Sequence, residues 1–154
     1  MIKIYKNSNG DSRTARQNVS FKEFQQANDM HRQDVKNVMN ELSTIIEIRG
    51  ANHDYTKKTE EELFYKEFTS TMISQTDFLK SEWYKLHVEK ERHHLLSRCP
   101  EDVNLIDVLE MIADCVCAGI ARSGEVRPME INEELLMKAV NNTSILIQSM
   151  IEKV

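Results

Sequence analysis

This sequence predicts an all-α protein: a bundle of five or six helices behind a short extended N-terminal arm, with residues 1 to 20 as the arm and 21 to 154 as a single helical domain. Three observations carry that prediction. The 154 residues contain only 4 glycines and 2 prolines, which leaves few places for the tight turns of a β-fold. Apolar residues recur at helical spacing along most of the chain. Side-chain capping signals stand in front of several of these stretches. The length supports one domain with a real core and is short for two.

The opening Met1-Ile2-Lys3-Ile4-Tyr5 reads as a short strand or extended arm, and residues 7 to 18, with Asn9-Gly10, as a turn or irregular chain. Ser20-x-x-Glu23 is a capping box, in which side chains satisfy orphan backbone donors, and it opens a first helix over 21 to 49 that ends at Gly50. Phe24, His31, Val35, Val38, Leu42 and Ile45 share one stripe of this helix, which turns His31 inward. Thr59-x-x-Glu62 is a second capping-box candidate, opening a helix through Leu63, Phe64, Phe68, Met72 and Ile73. His53 and Asp54 then fall at the helix junction. A third helix begins near Ser81 and runs to about Leu96, ahead of Pro100, because the residue before a proline avoids the helical region. A fourth spans 102 to 122 and stops at Ser123-Gly124. A last one, from 132 to 153, is capped by Asn132 and apolar at Leu135, Leu136, Val140, Ile147 and Ile151.

A net charge of -5 and a pI near 5.6 leave no overall basic footprint, so duplex nucleic acid is not an expected partner. The three cysteines, Cys99, Cys115 and Cys117, lack a disulfide-framework spacing, and the N-terminus lacks a signal-peptide pattern, which points to a reducing, cytoplasmic compartment. The longest apolar run, residues 111 to 121, is interrupted by Asp114 and falls well short of the roughly 20 residues that span a bilayer; no membrane association is expected. Cys115 and Cys117 fall on different sides of a helix and read as packing residues, as do the methionines. Phe64, Tyr65, Trp83 and Tyr84 have two readings, core packing and base stacking, with packing the more common use of aromatics at this spacing.

The five histidines fall in one ordered series with carboxylates: His31, His53-Asp54, His87, His93-His94, Asp114. Imidazole and carboxylate are the donors that borderline and hard divalent metals take. On a third helix that is regular to Leu96, His87, Glu91 and His94 share a face while His93 is rotated away. Asp107, Glu110 and Asp114 form a carboxylate row on the fourth helix. Asp114 lies among apolar neighbours and calls for a metal or a cation such as Arg122 or Lys57. Asp107 and Glu110 also suit a solvated side, and Asp107 a first-turn charge facing the helix dipole. Glu91-x-x-His94 is half of a di-iron carboxylate motif whose second half is absent. A pyrophosphohydrolase reading of Glu60, Glu61 and Glu62 leaves the histidines unexplained.

The ordered set resembles the HD-domain metal-dependent phosphohydrolases, an all-helical superfamily named for its His-Asp doublet. In that resemblance His31 stands for the first-helix ligand, His53 and Asp54 for the doublet, and Asp114 for the late-helix aspartate. His53-Asp54-Tyr55-Thr56-Lys57 is similar to the version of the motif with a lysine beside the doublet, and His87, His93 and His94 to the extra histidines that hold a second metal. The chain is most similar to small phage and bacterial HD-like proteins, over residues 21 to 122. The resemblance implies an HD-like bundle binding one or two divalent ions (Mn, Fe, Zn, Co, Ni or Mg) through His31, His53, Asp54, His87, His93, His94 and Asp114. Asp54 and Lys57 are the expected catalytic residues, with Lys57, Lys58, Arg92 and Glu110 meeting the substrate. The expected substrate is a nucleotide or related small phosphoester, cleaved by a metal-activated water; homo-oligomers are left open. The alternative is a non-catalytic protein, such as a phage accessory or antidefence factor, that binds a nucleotide or host protein on the same scaffold.

Overall fold

A computed structural model describes residues 1–6, 18–70 and 78–154 of the chain. The expected features at Asn9-Gly10, Met72 and Ile73 lie outside the described residues. Six helices and two three-residue strands are described: β1 (Ile2–Ile4), α1 (Phe21–Ala51), α2 (Tyr55–Thr59), α3 (Glu61–Ser70), α4 (Glu82–Lys90), α5 (Leu105–Ser123), α6 (Glu133–Ser149) and β2 (Ile151–Lys153). The all-α expectation with a short extended N-terminal stretch holds. The chain groups into two compact units, residues 1–47 with 144–154, and residues 48–143.

In the first unit the capping box forms as expected: Ser20 N donates to Glu23 Oε2 at 2.9 Å and Glu23 N to Ser20 Oγ at 3.3 Å. The stripe behind it is partly covered. His31, Val38, Leu42 and Ile45 are half-buried, while Phe24 and Val35 are exposed. β1 pairs in parallel with β2, Ile2 opposite Ile151 and Ile4 opposite Lys153. The last helix therefore does not run to Lys153. It ends at Ser149, and the apolar Ile151, which continues the helical pattern, is taken by a strand ladder with a segment far away in sequence.

The second unit has its core where α5 and the first half of α6 meet the loop after α4. Leu95, Val103, Val108, Met111 and Ala139 are buried together, with Ile112, Ile131 and Leu135 packed on them. Polar cross-links fix the junction. Thr143 Oγ1 accepts from Leu105 N at 2.8 Å and donates to Ala139 O at 2.7 Å, and Asn142 Nδ2 donates to Val103 O at 2.8 Å. The start of α5 is set by a capping box at Asn104, with Asp107 reaching back to Asn104 N, rather than at residue 102. Its end at Gly124 is as expected, the glycine adopting the left-handed conformation (φ 74°) that closes a helix without a Cβ clash.

Three boundaries near the histidines differ from expectation: α1 runs through Gly50, its expected stop, to Ala51. Thr59 is the last residue of α2 and caps nothing, so the break falls at Glu60. α4 stops at Lys90, six residues short of Leu96, because Glu91 leaves the helical region (φ -88°, ψ 119°). Its side chain is drawn into a buried contact with Thr56. Leu95 meanwhile anchors the following turn in the core.

Candidate metal centre

His53 and Asp54 sit in the turn between α1 and α2. Asp54 has a left-handed backbone (φ 56°, ψ 32°), a region that Asp enters more readily than most residues at a cost of about 1 kcal/mol. That conformation lets Lys57 N close a 2.9 Å turn onto Asp54 O while the carboxylate projects toward three imidazoles. Asp54 Oδ1 lies 3.4 Å from Nε2 of His87 and 3.4 Å from Nε2 of His93, and Oδ2 lies 3.4 Å from Nε2 of His53. His53 Nε2 is also 3.5 Å from Asp114 Oδ1, and His94 Nε2 is 2.7 Å from His87 Nε2.

Because α4 ends early, His93 and His94 lie in the non-helical stretch that follows it, and His93 is not rotated away as a regular helix would require. It is the most central of the set, 1% exposed. Among the described residues, two groups of donor atoms result, each close enough to hold a metal ion: Asp54, His87, His93 and His94, and His53, His93 and Asp114. Both are made by residues of the second unit. His31, the remaining expected ligand, is half-buried on α1 in the first unit.

The donor set fits a divalent ion. Two atoms each about 2.1 Å from a tetrahedrally bound ion stand about 3.4 Å apart, which is the spacing of Asp54 to His87 and to His93; the His87–His94 pair is tighter. Asp54 Oδ1, both ring nitrogens of His93 and Glu110 Oε2 are buried without a hydrogen-bond partner. Such orphans cost about 1–3 kcal/mol each, and a shared cation relieves several at once.

The rings are oriented from behind. His53 Nδ1 contacts Glu110 Oε1 at 3.1 Å, and His93 Nδ1 lies 3.3 Å from the same oxygen, out of line for a good hydrogen bond. Carboxylates behind metal-binding imidazoles commonly fix their tautomer and basicity. Glu110, expected among the substrate contacts, instead faces these two rings and Arg49, whose Nη1 is 3.9 Å from its Oε2. Arg92, also expected to meet substrate, has its guanidinium committed elsewhere: bidentate to Asp107 (2.8 and 2.8 Å) and to Asp102 at 3.0 Å. Asp107 is fully buried rather than on a solvated face; it is the acidic residue of the first turn of α5, as the dipole reading expected, and Arg49 Nη2 approaches it at 3.3 Å. The fixed guanidinium pairs hold the start of α5, and so Glu110 one turn later, in place.

On the other side, Thr56 Oγ1 contacts His87 Nδ1 at 2.6 Å and donates to Glu91 Oε1 at 2.7 Å. Thr56 is a site residue that pattern reading missed, since a lone threonine in a short turn has no distinguishing signal. Trp83 stacks on His87 (4.6 Å, 15°) and on Phe64 (4.0 Å). With Trp83 2% exposed, packing is its use here. Lys57 Nζ donates to Asp54 Oδ2, Lys58 is exposed, and the Asp114 carboxylate faces His53.

Electrostatics separate neighbouring rings. Burial, reinforced by the charge of His94, pushes His87 down to about 4. Burial also lowers His94, with His93 adding to it. For His93 burial acts in the same direction, but Glu110 and Asp54 outweigh it and the net shift is upward. Burial would raise Asp54 and Glu110, yet both are held below the ordinary carboxylate range, Asp54 by Lys57 and Glu110 by His93 and His53.

The chain belongs to DUF5662, a family of unknown function, whose model matches residues 20–153. Neither the curated proteins nor the solved structures contain a match to it.

Proposed function

We propose that this protein is a metal-dependent phosphohydrolase with an HD-type centre, acting on a nucleotide or related small phosphoester. The observation that supports it most is the position of Asp54: its two oxygens face different imidazoles, Oδ1 toward His87 and His93 and Oδ2 toward His53. A carboxylate so placed suits a bridge between two ions, with His87, His93 and His94 on one side and His53 and Asp114 on the other. The imidazole-rich set suits Fe, Co, Ni or Zn better than Mg or Mn, which favour oxygen donors. Divalent metal at such a site supplies a nucleophilic water near neutral pH and offsets charge on phosphoryl oxygens.

The remaining roles belong to the chain itself. Lys57, half exposed on the first turn after the doublet, reaches phosphate as a point charge, with Lys58 exposed beside it. Arg92 holds α5 and is not assigned to substrate. This proposal rests on residues of the second unit and does not depend on His31. A second reading, a binding protein without turnover, draws support from one contact: the Lys57 ammonium already neutralises Asp54 Oδ2, an arrangement that needs no second ion.

Elemental analysis of the purified protein, followed by a phosphate-release screen over nucleotides with each metal, tests the proposal. Release that a chelator abolishes is the expected result. The Lys57→Ala protein is expected to keep its metal and to lose rate or raise KM. Metal-loaded protein that releases nothing across the panel favours the binding reading.

A further inference from the structure

We infer that Thr56 and Glu91 are positioning residues that set the tautomer of His87, keeping the proton on Nδ1 and leaving the Nε2 electron pair toward Asp54. Thr56, Glu91 and His87 are 0, 5 and 3% exposed, so their mutual contacts are shielded from bulk solvent. An ionised carboxylate only accepts. Glu91 Oε1 takes Thr56 N at 2.9 Å and Thr56 Oγ1 at 2.7 Å. A hydroxyl has one proton, and here it is committed to Glu91. Toward His87 Nδ1, 2.6 Å away, Thr56 Oγ1 can then offer only electron pairs. Nδ1 must carry the hydrogen, and Nε2 is bare.

His94 Nε2 stands 2.7 Å from His87 Nε2; two bare nitrogens at that distance repel, so in chelator-stripped protein His94 carries its proton on Nε2 and donates it. The two histidines hold opposite tautomers. Stacking on Trp83 fixes the plane of the His87 ring, and Glu91 contributes twice, since its departure from the helix also brings His93 and His94 around to His87. The inference deepens the metal-centre reading, because a bare Nε2 is the form that ligates metal, but its test does not need that reading to hold.

The test is nitrogen–proton correlation spectroscopy of the imidazoles in full-length, isotope-labelled, chelator-stripped protein at about pH 8.5, above the usual imidazole range. Protons on Nδ1 of His87 and on Nε2 of His94 are expected. In Thr56→Val the His87 tautomer should become mixed while His53 signals stay in place, showing that the fold is retained; Thr56→Ser should restore it. Titrated with Zn(II), Thr56→Val should bind about 10–100-fold more weakly than wild type, with Thr56→Ser close to wild type. Wild-type His87 protonated on Nε2 overturns the inference, as does an unchanged His87 tautomer in folded Thr56→Val. Tautomers as expected, in a protein that takes no Zn(II), uphold the inference and count against the metal reading alone.

Discussion

The two sides of the histidine cluster are held by opposite means. Around His87 the support is buried and uncharged at the point of contact, a threonine hydroxyl backed by Glu91. Around His53 and His93 it is a line of charges running from Glu110 through Arg49 and Asp107 to Arg92. The consequence is visible in proton affinity: His87 is pushed down to about 4 by burial, while at His93, only six positions on, Glu110 overcomes burial and raises it. Where burial prevails the ring stays an electron-pair donor in acid; where a carboxylate outweighs it the ring is a stronger base that also competes harder for protons.

Asp54 is common to both sides, so its loss should have the largest effect. Asp54→Ala is expected to lose retained metal altogether and hydrolysis with it, measured by metal content after desalting and by phosphate release. Near-normal turnover in that variant would mean that the carboxylate has no role in the chemistry. Arg92→Met attacks the charged side only. It strips the bidentate partner from a fully buried Asp107, and breaking such a pair costs about 3 kcal/mol, readable as a lower urea midpoint. The His87 tautomer should not change.

Acid provides the mildest probe, and its sign follows from the shifts. His87 has a folded value near 4 against an ordinary 6.5. Between those values the unfolded chain binds a proton that the folded chain refuses, so stability falls as pH drops from about 6.5 to 4. His94, also lowered, acts in the same direction. His93 is raised, so its contribution is full below 6.5 and fades as pH climbs through its folded value. Urea midpoints of chelator-stripped protein across this window should therefore decline toward acid, and His87→Gln should flatten the decline.

How much of this was legible in the sequence depended on how local the cause was. The Ser20 box and the Gly124 stop are contained in a few neighbouring residues, and both formed as read. The donors Asp54, His87, His93, His94, His53 and Asp114 were recognisable by residue type and order. The geometry that joins them was not. α4 looks regular to Leu96 because nothing between Lys90 and Leu96 is a helix breaker; the break comes from Glu91 meeting Thr56, 35 positions earlier. Asp107 stayed open between a solvated side and a first-turn charge, and its burial was hidden because its partners, Arg49 and Arg92, lie on other segments. Ile151 kept the helical period, and only β1 at the far end of the chain turns it into a strand.

The most direct test of the metal centre is calorimetric titration of Zn(II) into chelator-stripped, full-length protein. Two ions per chain are expected, with His94→Ala removing the ion on the buried His87 side and Asp114→Asn the one on the His53 side. Saturation at a single ion that neither replacement disturbs, or no saturable binding at all, would contradict the account.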